Sequence, residues 1–295
     1  MRGSRILVLG GTGMLGSMLV DVLSRDPSLS ISATGRRKNL VKEMKRKVPE
    51  VHWALLDVAT VKDADLSAMV SDVDWIVNAI GVTNRQIDEA DARKIELAIR
   101  VNSQFPHILH RQAKKIGAHL INIGTDCVFS GSSGDYGETA TQEPADVYGK
   151  TKSLGEVKGD SVTNLRTSFV GPEPKQSQFL MEWFLGCAPG GIVDGYTNHA
   201  WTGVTTLHFA KIVRGIVARG IELPNQHHLV PSNRITKADL LKAFAAAFDR
   251  SDIAIRKVET PVAVNRTLIT TNIDLNRRLW AAAGYDESPS IEEMV

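Results

Sequence analysis

Along the first half of the chain, hydrophobic positions alternate between two periods. Short apolar runs stand at Ile6–Leu9, Ile31–Ala33, His52–Leu56, Trp75–Ala79 and Leu120–Ile123. Each is too short for a helix and rich in Ile, Leu and Val, as strands buried on both faces are. Between the runs the spacing turns helical. Leu15, Met18, Leu19, Val22 and Leu23 share one helix face, as do Val101, Phe105, Ile108 and Leu109. Pro106, inside the second set, is tolerated only near the first turn of its helix. This repeated strand–helix rhythm predicts an α/β fold: a doubly wound parallel sheet with helices on both faces.

Two more strands are predicted at Thr163–Arg166 and His228–Val230. The rhythm breaks between them, at the turn-rich segments Gly171–Pro174 and Cys187–Gly191. Helices are predicted over Val204–Arg219, Thr236–Phe248 and Ile273–Ala283. The expected division is a sheet domain over 1–171 that returns at 204–231. A smaller, discontinuous C-terminal lobe then takes 172–203 and 232–295.

Composition narrows the function classes. Of 295 residues, 43% are hydrophobic and 23% charged, which excludes intrinsic disorder. The formal net charge of +2 gives no global attraction to nucleic acid or a membrane surface, and neither is expected as a partner. The two cysteines, Cys127 and Cys187, are too few for a disulfide framework. Glycines interrupt the N-terminal apolar run, unlike a signal peptide, and no stretch approaches the roughly 18 apolar residues of a spanning helix. A soluble, cytoplasmic protein is the expectation.

Directly after the first predicted strand stands Gly10-Gly11-Thr12-Gly13-Met14-Leu15-Gly16. A Gly-x-x-Gly-x-x-Gly string between a strand and a helix points to a dinucleotide. Gly10 permits the tight turn, Gly13 lets the backbone approach a pyrophosphate, and Gly16 lets the helix pack close to the strand. Met14 and Leu15 open the helix whose free N–H groups would receive the anion. After the second strand the chain reads Thr34-Gly35-Arg36-Arg37, with no acid to hold a ribose 2′-hydroxyl. Guanidinium groups suit a 2′-phosphate, so the expected cofactor is NADP(H), held there by Arg36 and Arg37.

Tyr148 and Lys152 are four residues apart, on one face of a helix. A nearby ammonium favours the phenolate, so Lys152 is expected to lower the Tyr148 pKa and fit it as a general acid. A hydroxyl, Thr125, follows the fifth strand in Gly124-Thr-Asp-Cys-Val-Phe-Ser-Gly131.

Together with Asp57-Val58, Asn78-Ala-Ile-Gly81, Asn102, Gly155-Glu156 and Leu165-Arg-Thr-Ser168, these motifs resemble the extended short-chain dehydrogenase/reductase family. Within it the chain is most similar to the dTDP-4-dehydrorhamnose reductase group of nucleotide-sugar reductases. The resemblance covers roughly residues 5–172. It implies that Tyr148 protonates a ketone, that Lys152 also binds the nicotinamide ribose, and that Thr125 hydrogen-bonds the ketone oxygen. It further implies adenine contacts from Asp57 and Val58, adenosine contacts from Ala79 and Gly81, and a place for Asn102 behind the nicotinamide. Thr83, Asn198 and Trp201 are candidate substrate contacts, with domain packing an equal alternative for Trp201. No residue is assigned to a metal.

The group's Gln-x-Gly-x-Pro-Thr segment is replaced by Gly195–Thr206, without the Gln or the Pro. The resemblance therefore implies reduction of an NDP-4-keto-6-deoxyhexose without fixing the sugar. Two alternatives stay open. Cys127 stands two residues after Thr125, as in epimerase–reductases of the GDP-fucose synthase type, although the His that such a Cys works with is missing after the sixth strand. The group also contains a non-catalytic, cofactor-binding regulatory subunit, that of methionine adenosyltransferase. Some members are dimers, so a homodimer is an open arrangement.

The cofactor reading has a direct check by fluorescence titration. Arg36→Ala combined with Arg37→Ala should weaken NADPH about tenfold or more, the worth of a charge-assisted hydrogen-bond pair, and leave NADH nearly unchanged. An equal loss for both refutes the phosphate assignment.

Overall fold

The computed structural model describes residues 3–174 and 179–295. The chain begins with β1 (Ser4–Leu9), α1 (Met14–Ser24), β2 (Leu29–Gly35), α2 (Lys38–Lys47), β3 (His52–Leu55), α3 (Asp63–Val70) and β4 (Trp75–Asn78). Helix α4 (Ala92–Ala98) widens through Ile99–Gln104 and continues as α5 (Phe105–Ile116). Next come β5 (His119–Ile123), α6 (Val147–Leu154), β6 (Val162–Arg166), β7 (Phe169–Val170) and α7 (Leu180–Leu185). They are followed by β8 (Ile192–Tyr196), β9 (His199–Trp201), β10 (Val204–Thr205), α8 (Thr206–Arg219), β11 (Gln226–His228) and β12 (Ile235–Thr236). The chain closes with α9 (Lys237–Ala247), β13 (Ala254–Val258), β14 (Val264–Asn265), α10 (Ile273–Ala282) and α11 (Ile291–Met294).

Seven strands form one sheet in the order β11-β6-β5-β4-β1-β2-β3, and every pairing within it is parallel. The order reverses at β1, between β2 and β4, which opens a crevice at the carboxyl ends of the strands. The unbroken apolar run of β1 has a simple cause. Ile6 and Val8 enter the core beneath α1 and α8, while Leu7 and Leu9 enter the opposite core beneath α3 and α5. The first core runs on through Phe209 and Ile212 to Leu275, Leu279 and Trp280 of α10. Shorter pairings complete the C-terminal half: β7 with β10, β8 with β13, and β9 between β12 and β14. Among the described residues no helix is long and apolar enough to cross a membrane.

Most elements match the sequence expectation to within two residues at each end, and two of the boundary differences have a clear physical cause. The strand expected at His228–Val230 lies at Gln226–His228, in register with Asn164–Arg166. The apolar pair Leu229-Val230 drew the expectation forward, but the edge is formed by two buried histidines, of which the His228 ring bonds Arg166 and the Ile269 carbonyl while the His227 ring is buried without a hydrogen bond among the described residues. The helix expected from Val204 begins at Thr206, because Val204 and Thr205 first pair with β7 and the Thr205 hydroxyl then accepts the His208 N–H. Pro106 sits near the start of α5, directly after the widened stretch, where its missing N–H is accommodated.

Beneath the crevice the sheet carries a buried amide ladder. Asn78 Nδ2 donates to Asn122 Oδ1 (3.0 Å), and Asn122 Nδ2 donates to Asn164 Oδ1 (2.9 Å) and to the Gly155 carbonyl (3.0 Å). Close by, Arg166 is fully buried and binds both Glu156 oxygens at 2.5 Å, the His228 ring at 2.9 Å and the face of Phe129. Burial alone would raise the Glu138 carboxyl. Hydrogen bonds from Thr270, from the Thr271 N–H and from the His228 N–H outweigh it and hold the group at about 2. Burial pushes the neighbouring His227 down to about 4.

This cluster dictates a pH dependence. Unfolded His227 binds a proton below about 6.5, while the folded ring stays neutral down to about 4. Stability contributed by neutral burial is therefore complete above that upper value and lost as the pH falls. Urea unfolding should show a loss on the order of 3 kcal/mol between these limits from this residue. His227→Leu should flatten that slope, and an unchanged slope contradicts the assignment.

Candidate active site

The glycine turn at the crevice behaves as its spacing implies. Gly10 turns at φ 82°, and a Cβ on Gly16 would lie 2.1 Å from the Gly10 carbonyl oxygen, so only glycine lets α1 come this close. Gly13 caps α1 with no side chain, and no acid occupies the first turn, which begins with Met14 and Leu15. The N–H groups of such a first turn point outward and are able to receive an anion. Thr34 Oγ1 accepts the Gly10 N–H at 3.2 Å and ties the end of β2 to the turn. Arg36 and Arg37 follow Thr34 closely, both exposed, and neither makes an ion pair among the described residues.

The opposite lip is built from the segment after β4. The Ala79 N–H bonds Leu9 O, and the Ala79 carbonyl packs against Gly10. Gly81 lies beside the Asn102 amide. Asn102 Oδ1 accepts the Val82 N–H and its Nδ2 donates to the Val82 carbonyl, both at 2.8 Å, with a further bond to Thr151 Oγ1. Asn102 is thus a brace between this lip and α6. Thr83 opens a single turn whose Gln86 side chain accepts its N–H. Beyond β3, Asp57 is exposed and receives the Ala59 N–H, while Val58 lines a cavity of about 200 Å³ with Leu66, Arg100 and Phe105.

At the end of β5, Thr125 is 7% exposed and its Oγ1 receives the Cys127 N–H at 3.2 Å. Helix α6 approaches this end of β5 so closely that a Cβ on Gly149 would lie 2.2 Å from the Cys127 carbonyl oxygen, and Tyr148 comes under the influence of the Thr125 hydroxyl. One turn along that helix, Lys152 Nζ donates to Ile123 O at 2.7 Å. The structure therefore unites Thr125, Tyr148 and Lys152 where β5 ends.

The electrostatics differ from the sequence expectation. The Tyr148 phenol is raised well above its ordinary value, first by burial and then by Cys127, Asp126 and Asp146, against the lowering influence of the Thr125 hydroxyl. Lys152 is not what governs it. Burial lowers the ammonium to about 8 against the pull of Glu156, and its protons serve the Ile123 carbonyl. Sequence spacing supplied the neighbour; burial decides the sign. A phenol held protonated keeps the proton that a general acid must give.

Other expected contacts are occupied elsewhere. Asn198 exchanges hydrogen bonds with the Thr260 backbone, Nδ2 to O at 2.8 Å and N–H to Oδ1 at 3.2 Å. Trp201 is 3% exposed, donates to Ser168 Oγ, and serves as packing on which Lys237 rests. Three residues that spacing did not single out gather around the segment that follows Thr125. Asp126 is its immediate neighbour, and Lys237 and Arg266 arrive from the C-terminal half and act on that carboxyl. Only the fold brings those two here, although the run Thr125-Asp126 could have drawn attention to the acid.

Known proteins share the family and fold of this chain. The family model described as RmlD substrate binding domain matches residues 4–184. A dTDP-4-dehydrorhamnose reductase of Streptomyces griseus is 34% identical over 153 residues, 52% of this chain and 43% of that protein. Methionine adenosyltransferase 2 subunit beta of Xenopus tropicalis is 30% identical over 155 residues, 52% of this chain and 42% of that protein. The chain thus spans less than half the length of these relatives. Among solved structures, the dTDP-4-dehydrorhamnose reductase of Bacillus anthracis in complex with NADP superposes with a TM-score of 0.73 at 18% identity, covering 99% of this chain and 96% of that one. Its likeness shows a shared Rossmann-type fold. The matched family residues contain the glycine turn, the switch point and the Thr–Tyr–Lys site alike, and the chain belongs to the RmlD substrate binding domain family.

Proposed function

We propose that the chain is an NADPH-dependent reductase of a nucleotide-linked 4-keto-6-deoxyhexose, with Tyr148 as proton donor. The observation that carries the reading is the close seating of α6 on the end of β5, which brings Tyr148 and Lys152 to the segment that holds Thr125. The cofactor's identity rests on the exposed Arg36 and Arg37 after β2, and on relatives named as reductases.

The residues present fit the cofactor. The N-terminus of α1 would take the pyrophosphate, Arg36 and Arg37 the 2′-phosphate, the Val58 side the adenine, and Lys152 the nicotinamide ribose. When bound, reduced nicotinamide supplies the hydride. Tyr148 then gives its proton to the ketone oxygen, and Thr125 donates a hydrogen bond to the same oxygen as negative charge develops. Asn102 braces the lip so that these donors keep their places. The lobe of 172–203 and 232–295 closes over the sugar, and the sheet domain of 1–171 and 204–231 holds the cofactor.

The epimerase–reductase alternative asks Cys127 to exchange protons. Burial and Asp126 push its thiol up to about 12, and His199 is committed to Thr260 Oγ1, which weighs against that role. The regulatory reading draws on the similarity to a methionine adenosyltransferase subunit.

One assay separates these readings. NADPH oxidation with a panel of NDP-4-keto-6-deoxy sugars should be sugar-dependent and fall about 100-fold or more in Tyr148→Phe, the ordinary worth of a general acid. Lys152→Met should also reduce turnover strongly. Cofactor binding without turnover on any sugar would favour the regulatory subunit.

A further inference from the structure

Three short strands of the C-terminal half bring two cations together. β12 ends with Thr236 opposite Ala200 of β9, and β14 ends with Asn265 opposite the same Ala200. Lys237 and Arg266 come next, so both leave the sheet at one level and flank β9. Lys237 Nζ stands 5.0 Å from the centroid of the Trp201 ring, whose Nε1 is already spent on Ser168 Oγ. Arg266 Nε donates to the Phe129 carbonyl at 3.1 Å, and its Nη1 lies 3.6 Å from Cys127 Sγ. Cys127 gives its N–H to Thr125 Oγ1, so the guanidinium reaches the segment that carries the Thr125 hydroxyl. Both cations are half-buried, and neither meets an anion. Among the described residues Lys237 has no hydrogen bond or ion pair, and Arg266 has only a carbonyl and a thiol. That thiol stays neutral, because burial and then Asp126 push it up to about 12. Asp126 feels both cations, but burial raises it toward its uncharged form, and even when ionised it offsets one charge of the two. Burial lowers the Lys237 ammonium to about 8, which leaves it mostly charged at neutral pH.

We propose that Lys237 and Arg266 grip an oxyanion of the substrate and so select a ligand with negative charge close to the reacting sugar. This deepens the reductase reading and rests on it. A planar guanidinium can pair with two such oxygens at once, and an ammonium adds a point charge beside it. Partly buried cations without a counter-charge are costly to keep, and a bound anion offsets that cost. A nucleotide-linked sugar offers such oxygens in two places, the diphosphate and a carboxylate borne by the sugar. The two cations set specificity, make and break no bond, and leave Tyr148, Thr125 and Lys152 in the roles already given. Their delivery explains why β12 and β14 flank β9: Arg266 is reachable only from the end of β14, and Lys237 only from the end of β12.

The test is calorimetric binding to the full chain with NADP+ present, which needs no turnover. The probes are dTDP, UDP, UDP-glucose and UDP-glucuronic acid. Lys237→Met and Arg266→Met should each weaken binding about tenfold or more, the worth of a hydrogen bond to a charged group, at nearly constant NADP+ affinity. Lys237→Arg, which keeps the charge, should restore most of the affinity. An equal loss on every probe assigns the anion to the diphosphate, and a loss confined to UDP-glucuronic acid assigns it to a sugar carboxylate. Unchanged affinity for every probe in both Met variants overturns the site, as does failure of every probe to bind wild type. Should the Met variants not fold, NMR of wild type carrying 13C at Lys Cε decides, with the Lys237 signal assigned through Lys237→Arg. A bound probe should move its titration to higher pH, because an anion favours the ammonium, and a titration unmoved by a bound probe overturns the site. The reductase reading fails on a separate result, the absence of NADPH oxidation with any sugar, which leaves the binding measurement free to decide the anion site.

Discussion

The close seating of α6 on the end of β5 is the contact on which the whole site depends. Three points fix it. A Cβ on Gly149 would lie 2.2 Å from the Cys127 carbonyl oxygen, Lys152 Nζ grips the Ile123 carbonyl, and Asn122 Nδ2 grips the Gly155 carbonyl. With the helix held at both ends, Tyr148 has little choice but to meet Thr125.

That seating is maintained by groups that are costly to bury and therefore specific in how they pair. The ladder Asn78–Asn122–Asn164 runs across three strands, and each member has a partner for its amide. Removing one member would leave a buried donor or acceptor unmet, at about 1–3 kcal/mol. Arg166, buried between Glu156 and His228, joins the sheet edge to the C-terminal segment, where Glu138 clasps Thr270 and Thr271. The clasped segment is the one that delivers Arg266 to the site. Structural polar clusters and catalytic geometry are thus parts of one network, and a buried ion pair here serves position more than stability.

Much of the fold was legible because both-face burial leaves a local mark. The run of β1 is apolar at four successive positions, Ile6 to Leu9, that of β5 is broken only by Asn122, and the glycine turn follows β1 directly. The edge strand β11 was displaced in the reading because its residues are His227 and His228, buried among partners far away in sequence. The Tyr148–Lys152 spacing revealed two members of the site. The direction of the Tyr148 shift did not follow, since it depends on how deeply the phenol lies and on Asp126 and Asp146 nearby. Trp201 looked equally suited to ligand or core, and only its packing decides for core. Lys237 and Arg266 were invisible because no local pattern ties residues more than 100 positions away to Thr125.

The central claim is that a hydride and the Tyr148 proton converge on one sugar carbonyl. Its most direct test uses NADPH carrying deuterium at C4 of the nicotinamide, with the reduced sugar analysed by NMR and mass spectrometry. The account predicts a product one mass unit heavier, labelled at sugar C4 when the transferred position of the nicotinamide carries the isotope. An unlabelled product from both C4 epimers of the labelled cofactor would contradict it.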